Sequence, residues 1–233
     1  MLYVDFHAHV LPGADHGSDG IETSLAQLKQ ASLSKIGTIV ATPHFYLHKD
    51  TISNFLERRE TAFQTLQSKM QQMNLSIRIV KACEVNLQVD LCDLRDLELL
   101  CIEKTHYMLL ELPFHLSWTN WVYNSILQLR NRGIEPILAH INRYDPKQME
   151  PFFEMGVLMQ INAETVRSFK MRHRMLQYLK NQKVHFLGSD VHGGSGEHYE
   201  MFRKATRIYG AYMQTLTQNS NAILKNQKPD IYI

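Results

Sequence analysis

The chain opens with MLYVDFHAHVLPGADHGSDG (residues 1–20), in which a short apolar run ends in two histidines separated by one residue. Leu2–Phe6 has the composition of a β-strand, and His7 and His9 follow it. Because side chains alternate along an extended chain, both imidazoles are expected on the same side. Ile21–Ile36 then carries apolar residues at helical spacing. The opening therefore predicts a strand–helix unit with two histidines at the end of the strand.

The same unit repeats along the rest of the chain. Six further apolar runs are predicted as strands, namely Thr38–Thr42, Ile77–Cys83, Tyr107–Leu112, Pro136–Ala139, Val157–Asn162 and Val184–Gly188. Alternating strands and helices are typical of parallel βα folds, and no Pro/Gly/Ser-rich linker divides the chain. We therefore predict one α/β domain over residues 1–233. Seven strands in this length favour a small closed barrel over an open doubly wound sheet.

The composition excludes several classes of protein. The formal net charge is only +2, whereas a dedicated nucleic-acid-binding protein usually has a clear basic excess. The three cysteines, Cys83, Cys92 and Cys101, have no paired spacing, so neither a disulfide framework nor a four-thiolate zinc site is expected. The N-terminal stretch does not look like a signal peptide, and no apolar run is long enough to span a membrane. We therefore expect a cytoplasmic protein.

Histidines and acidic residues are concentrated at the ends of the predicted strands. Six of the seven strands run into such residues, and in a parallel barrel all carboxyl ends open onto one face. The residues are His7, His9, His44, Glu84, Glu111, His140, Asp190 and His192. Asp15 and His16, in the loop after the first strand, could add one further ligand.

These residue types point to metal binding. Imidazole and carboxylate ligands suit zinc, manganese, iron or nickel. One zinc ion takes about four ligands, so the number of candidates predicts a cluster of two or three divalent ions. Ions roughly 3.5–4 Å apart can activate water and hold a phosphoryl group during in-line displacement.

Together these segments resemble the polymerase and histidinol phosphatase (PHP) superfamily. DFHAHVLPGADHGSDG, VATPHF, the Glu84 segment, ELP, AHINR and GSDVHG follow one another in that superfamily's order over essentially the full chain. The opening is most similar to the CpsB/YwqE-like tyrosine phosphatases of capsule and exopolysaccharide synthesis. The resemblance implies a distorted (β/α)7 TIM-like barrel (the PHP fold) and a metal-dependent protein-tyrosine phosphatase. The implied substrate is the phosphotyrosine-bearing tail of a bacterial tyrosine kinase.

The resemblance also implies roles for individual residues. Three metal sites are expected: one held by His7, His9, Glu84 and Asp190, one by Glu84, Glu111 and His140, and one by His44, His192 and either Asp15 or His16. Arg143 matches a family arginine that contacts the phosphate. As a mechanistic hypothesis apart from the resemblance, His44 or His192 could protonate the leaving oxygen if it is not fully engaged on a metal ion.

Three departures from the family pattern leave alternatives open. Asp15 is followed by His16 where the family has a second aspartate, and residues 140–143 read HINR instead of His-Pro-Glu-Arg. No arginine occurs between His192 and Arg203, where the family has a second arginine. The alternatives are therefore a phosphatase of a small phosphate monoester, such as a sugar or amino-alcohol phosphate, and a catalytically weakened metal-binding regulator. The native metal and the oligomeric state stay open.

An aromatic group follows the fourth predicted strand. Phe114, Trp118 and Trp121 lie on the side where the mouth of the barrel is expected. They could shape an aromatic substrate pocket or an oligomer contact, or they could pack in the core.

Overall fold

The computed structural model describes residues 1–114, 118 and 120–229, and within them it contains nine β-strands and seven α-helices. The strands are β1 (Tyr3–Ala8), β2 (Ile36–Ala41), β3 (His44–Phe45), β4 (Arg78–Lys81), β5 (Glu84–Asn86), β6 (Tyr107–Glu111), β7 (Glu135–Leu138), β8 (Leu158–Asn162) and β9 (Phe186–Gly188). The helices are α1 (Ile21–Leu33), α2 (Ile52–Gln72), α3 (Asn120–Asn131), α4 (Pro146–Glu154), α5 (Phe169–Lys180), α6 (Glu197–Ile208) and α7 (Met213–Ile223).

All strand pairings are parallel, and the strands follow one another in chain order around a ring. The strand order is β1-β2-β4 in one sheet and β3-β5-β6-β7-β8-β9 in the other. The second and third barrel strands are each in two pieces, β2 with β3 and β4 with β5. The ring closes where the Asp190 N–H donates to the His7 carbonyl at 2.8 Å. Nine short strands thus occupy seven barrel positions, and the predicted distorted (β/α)7 TIM-like barrel is confirmed.

Several boundaries differ from the sequence prediction, and two of these differences have a clear local cause. Helix α1 ends at Leu33 and not at Ile36, because Lys35 adopts a left-handed conformation (φ 59°) and the chain then enters β2. The second barrel strand is interrupted before His44, since Pro43 has no N–H to donate to the sheet.

Local sequence signals fix several helix starts. The Thr51 side chain accepts a hydrogen bond from the Asn54 N–H at the start of α2. Asp145 caps α4 in the same way, with Pro146 in the first turn, and Ser168 caps α5. Such caps satisfy backbone N–H groups that have no partner within the helix. Among the described helices, none is both long and apolar enough to cross a membrane.

The interior of the ring changes from apolar to acidic along the strands. In β6, Tyr107 and Leu109 belong to a buried apolar cluster, and Glu111 comes next in the two-residue alternation. The third barrel strand repeats this pattern, with Val80 in the cluster and Glu84 at its carboxyl end. A larger apolar cluster includes side chains of the helices. The fold therefore brings the carboxylates to one end of an apolar ring.

Gly188 allows a close approach between β9, the last strand, and β1, the first. A Cβ atom at this position would lie 2.5 Å from the Cβ of His7 and 2.7 Å from Nε2 of Gln160. We expect Gly188→Ala to lower the free energy of unfolding by about 1–3 kcal/mol, as overpacking of a core does. Urea denaturation measures the change. Gly210→Ala is the matched control, because a Cβ there meets nothing within 4 Å. Equal stability of the two variants would contradict this account of the β1–β9 contact.

Candidate metal centre

Histidines, aspartates and glutamates converge at the carboxyl ends of the strands. Four groups of them have ligand atoms within 4.8 Å of one another. The groups are His7, His9, Glu84 and Asp190; Glu84, Glu111 and His140; His9, His44 and His192; and Asp15, His16 and His44. All ten residues predicted as ligands from the sequence are therefore brought together in space. The groups overlap, as expected where neighbouring ions share ligands.

The Glu84 carboxylate lies at the centre of the cluster and is fully buried. Its Oε2 is 3.0 Å from Nε2 of His7, 3.2 Å from Nε2 of His9 and 3.3 Å from Nε2 of His44. Its Oε1 is 2.7 Å from Nε2 of His140. Burial by itself would raise the pKa of Glu84, but the neighbouring histidines, His7 first, hold the pKa well below its usual value. One carboxylate thus faces four imidazoles and can bridge two ions.

Asp15 lies on the other side of two of these imidazoles. Its Oδ2 is 2.7 Å from Nδ1 of His9 and 2.7 Å from Nδ1 of His44, and it also accepts the His44 backbone N–H. Its Oδ1 accepts the N–H of Gly17. In this geometry Asp15 orients the two rings so that their Nε2 atoms face Glu84. Carboxylates commonly orient metal-bound histidines in this way.

His16 and His192 lie at the more open side of the cluster. The His16 ring stacks on His44 with 4.6 Å between centroids, and it is 4.9 Å from the ring of His192. Burial, with a contribution from His9, lowers the pKa of His192 to about 4. Burial and His44 also lower the pKa of His16. Both rings are therefore neutral at pH 7, which is the form that binds a metal ion.

The donor set fits divalent first-row metal ions. It consists of imidazole nitrogens and carboxylate oxygens in a largely buried site, the combination that zinc, manganese and iron accept. Buried charges of this kind persist in proteins when they are paired or coordinate metals. The described cysteines are not part of it: the Cys83 thiol donates to the Leu100 carbonyl at 2.9 Å, away from Glu84. The residues present therefore suit a metal centre without thiolate ligands.

Arg143 lies at the rim of the cluster, just after β7. Its Nη2 donates to Oδ2 of Asp190 at 2.7 Å and lies 3.4 Å from Oε1 of Glu164. The side chain is 38% exposed, so solvent reaches the guanidinium from the open side. Arg143 therefore combines a contact to a candidate ligand with access to a molecule entering the mouth.

The aromatic residues after β6 separate into two environments. Phe114 is 43% exposed and stacks on His140 and Tyr144, with centroid distances of 5.5 and 5.2 Å. Trp118 instead packs edge-on against Tyr144, and its Nε1 donates to the Pro113 carbonyl. Trp121 is partly buried against the core. Phe114 is therefore the member of this group that borders the metal centre.

A layer of buried polar residues around the candidate ligands was not predicted from the sequence. Gln160 and Asn162 of β8 contact His7 and Asp190, respectively. Asp5 accepts hydrogen bonds from the N–H and the hydroxyl of Ser189, and burial raises its pKa to about 6. The sequence did contain a signal for Gln160 and Asn162, because they lie two residues apart at the end of an otherwise apolar strand and so share one face of it.

Comparison with known proteins finds one matching family and several curated relatives of similar length. A family model described as capsular polysaccharide synthesis, CpsB/CapC, matches residues 3–226. The tyrosine-protein phosphatase CpsB of Streptococcus pneumoniae is 26% identical, covering 81% of this chain and 82% of that protein. The tyrosine-protein phosphatase YwqE of Bacillus subtilis (strain 168) is 24% identical, covering 96% of this chain and 92% of that protein.

Solved structures share the fold. A structure from a study of B. subtilis YwqE and S. pneumoniae CpsB, described there as unique metal-dependent tyrosine phosphatases, superposes with a TM-score of 0.81 at 22% identity, covering 97% of this chain and 95% of the other. A phosphotriesterase homology protein from Escherichia coli, complexed with phosphate, gives a TM-score of 0.54 at 10% identity, with 95% and 94% of the two chains covered.

Metal binding is expected to release protons at pH 7. Burial opposes protonation of His9 and His140, but hydrogen bonds with Asp15 raise the pKa of His9 well above 6.5, and those with Glu111 and Glu84 raise the pKa of His140 to about 9. Both rings are therefore protonated at pH 7 in the metal-free protein, and each must lose a proton before Nε2 binds an ion.

Calorimetric titration with Mn²⁺ or Zn²⁺ in two buffers of different ionisation enthalpy measures this release. We expect protons to be released at pH 7, and fewer at a pH above the His140 pKa. The variant His140→Gln should release fewer than the wild type. Binding without proton release at pH 7 would contradict the proposed coupling.

Proposed function

The chain belongs to the capsular polysaccharide synthesis CpsB/CapC family, and from this premise we propose that it is a metal-dependent phosphatase of phosphotyrosine in proteins. The curated relatives named above are tyrosine-protein phosphatases. The observation that carries the proposal is the convergence of ten candidate ligands, with Glu84 at their centre, at the mouth of the barrel. Such a site serves phosphate-ester hydrolysis, which needs positive charge beside the phosphoryl group.

The ligand groups suit two or three ions, for which manganese, iron and zinc are the candidates. When bound, the ions would supply Lewis-acid charge and lower the pKa of water. His7, His9, Glu84 and Asp190 would hold one ion, and Glu84, Glu111 and His140 a second. A third would be held by His44, His192 and His16 or Asp15, which are drawn from the two remaining groups. Of the last pair we favour His16 as the ligand, because Asp15 already contacts the Nδ1 atoms of His9 and His44.

Three side chains near the mouth have proposed roles toward the substrate. Arg143 binds the phosphate through its guanidinium, which suits two parallel hydrogen bonds to phosphate oxygens. His44 and His192 lie on the open side of the cluster, and either would protonate the leaving oxygen only if it is not fully engaged as a ligand of the third ion. A phenolate needs little assistance in leaving, so the loss of either histidine as an acid should matter less for aryl than for alkyl phosphates.

The aromatic surroundings favour phosphotyrosine over a small aliphatic phosphate ester. The exposed ring of Phe114 lies on His140, and the ring of Tyr46 stacks on His44 at 5.4 Å between centroids, nearly parallel at 9°. Two aromatic side chains thus border the candidate metal centre. Aromatic rings prefer to pack against other aromatic rings, so the phenyl group of phosphotyrosine has partners here that a sugar phosphate lacks.

The biological role follows from the same premise. We propose that the physiological substrate is the phosphotyrosine-bearing tail of a bacterial tyrosine kinase that controls capsular or exopolysaccharide synthesis, and that the protein acts in the cytoplasm. Cleavage of small phosphate monoesters, or kinase binding without hydrolysis, are the alternatives that the experiments below separate.

The substrate class is tested with the Mn²⁺-loaded protein. We expect a phosphotyrosine peptide to have a higher kcat/KM than any member of a panel of sugar and amino-alcohol phosphates. Glu84→Gln should lower kcat by about 100-fold or more, because it weakens the shared ligand of two groups. His173→Gln, an exposed histidine on α5, is the matched control. Preference for a small ester would support the first alternative, and metal binding without turnover the second.

The role of Phe114 is tested separately. Phe114→Ala should lower kcat/KM for a phosphotyrosine peptide by about 2- to 10-fold, the range expected for loss of one aromatic pair. Hydrolysis of glycerol phosphate should change less than twofold. Phe169→Ala removes another exposed phenylalanine (74% exposed) on α5 and serves as control. An equal loss on both substrates would show that Phe114 does not distinguish aryl from alkyl groups.

A further inference from the structure

Strand β8 contributes none of the candidate metal ligands, yet it ends in two fully buried amides, Gln160 and Asn162. A buried amide is costly unless its polar atoms are paired. The hydrogen-bond partners of these two side chains include candidate ligands at the ends of three other strands. The pairing is therefore specific to the metal centre and not to the apolar core.

A single oxygen of Gln160 contacts two candidate ligands. Its Oε1 accepts the backbone N–H of His140 at 2.6 Å and is 3.3 Å from Nδ1 of His7. Its Nε2 donates to the Ile161 carbonyl at 2.7 Å and to Oδ1 of Asn162 at 3.0 Å. A backbone N–H can only donate, so the amide orientation is fixed. The His7 ring must then carry a proton on Nδ1 to donate to this oxygen, and Nε2, which faces Glu84 and Asp190, is the nitrogen left for an ion.

His140 has a backbone conformation that needs support. Its φ of 33° and ψ of 52° lie in the left-handed region, which costs an ordinary residue about 1–2 kcal/mol. Such conformations persist where surrounding contacts determine them. The hydrogen bond from the His140 N–H to Gln160 is one such contact. The conformation places Nε2 of His140 2.7 Å from Oε1 of Glu84.

Asn162 extends the same arrangement to Asp190. Its Nδ2 donates to Oδ2 of Asp190 at 2.8 Å, which leaves Oδ1 of Asp190 beside the rings of His7 and His9. Asp190 also has a left-handed backbone, with φ of 51°. Both candidate ligands with strained backbones are thus tied to the amides of β8.

We propose that Gln160 is a positioning residue of the metal centre, and that the chain Gln160–Asn162–Asp190 aligns His7, His140 and Asp190 for metal binding. The effect of Gln160 on metal affinity rests on the proposed metal-dependent function. The alignment of the side chains, in contrast, is expected in the protein without metal as well. Gln160 touches neither the ions nor the substrate in this scheme. Its effect passes through the ligands that it orients.

The first test is metal affinity, measured by titrating the protein with Zn²⁺ or Mn²⁺ against a competing chelator. Gln160→Met, which keeps the length of the side chain and removes its polar atoms, should weaken binding by about 10- to 100-fold, as loss of a partner behind a ligand does. Gln160→Glu keeps the acceptor for His7 and His140 but loses the donor to Ile161 and Asn162, so it should bind metal more tightly than Gln160→Met and more weakly than the wild type. Asn219→Leu, which removes a buried amide that bonds only the His185 carbonyl, should bind as the wild type does.

The second test uses the metal-free protein. Nuclear magnetic resonance should detect a slowly exchanging ring N–H on Nδ1 of His7 in the wild type and in Gln160→Glu, and this protection should be lost in Gln160→Met. If Gln160→Met does not fold, Asn162→Ala tests the same chain, with about tenfold weaker metal binding expected and the His7 signal retained.

Metal affinity of Gln160→Met within twofold of the wild type, or an unchanged His7 N–H exchange rate, would overturn the proposal. If Gln160→Met does not fold, an unchanged affinity in Asn162→Ala would do the same. A wild-type protein that binds no metal would instead refute the proposed function, and the His7 measurement would still decide the role of Gln160.

Discussion

The carboxylate of Glu84 is buried among the imidazoles of His7, His9, His44 and His140, and the rest of the site is arranged around it. Removing a carboxylate from water is unfavourable unless opposite charge compensates. Here four rings from three other barrel strands compensate it, so the position of each strand end is constrained by the same group. The barrel supplies this convergence, because all its parallel strands end at one face.

Positioning of the rings depends on contacts behind them. Asp15 holds His9 and His44 through their Nδ1 atoms, Gln160 contacts His7, and the Asp190 carbonyl is 3.1 Å from Nδ1 of His192. In each case the ring nitrogen that faces away from the metal centre has a polar contact with the protein. The other ring nitrogen is left to bind a metal ion. This layer explains why an apolar barrel contains so many buried polar side chains at one end.

Much of this could be predicted from the sequence. Apolar runs followed by His, Asp or Glu identified the strands and their functional ends, since both are local patterns. The supporting layer was not predictable in the same way: Gln160 and His7 are 153 residues apart, and Asp15 and His44 are 29 apart. Those contacts depend on the register and curvature of the barrel. The left-handed backbones of His140 and Asp190 were not predicted either, because the strongest signal for this conformation is glycine and neither residue is one.

The central claim is that the residues around Glu84 form a metal centre, and anomalous X-ray diffraction from crystals soaked in Mn²⁺ tests it most directly. We expect one anomalous peak between His7, His9, Glu84 and Asp190, a second between Glu84, Glu111 and His140, and a third near His44 and His192. Crystals that contain Mn²⁺ elsewhere but show no peak beside Glu84 would contradict it.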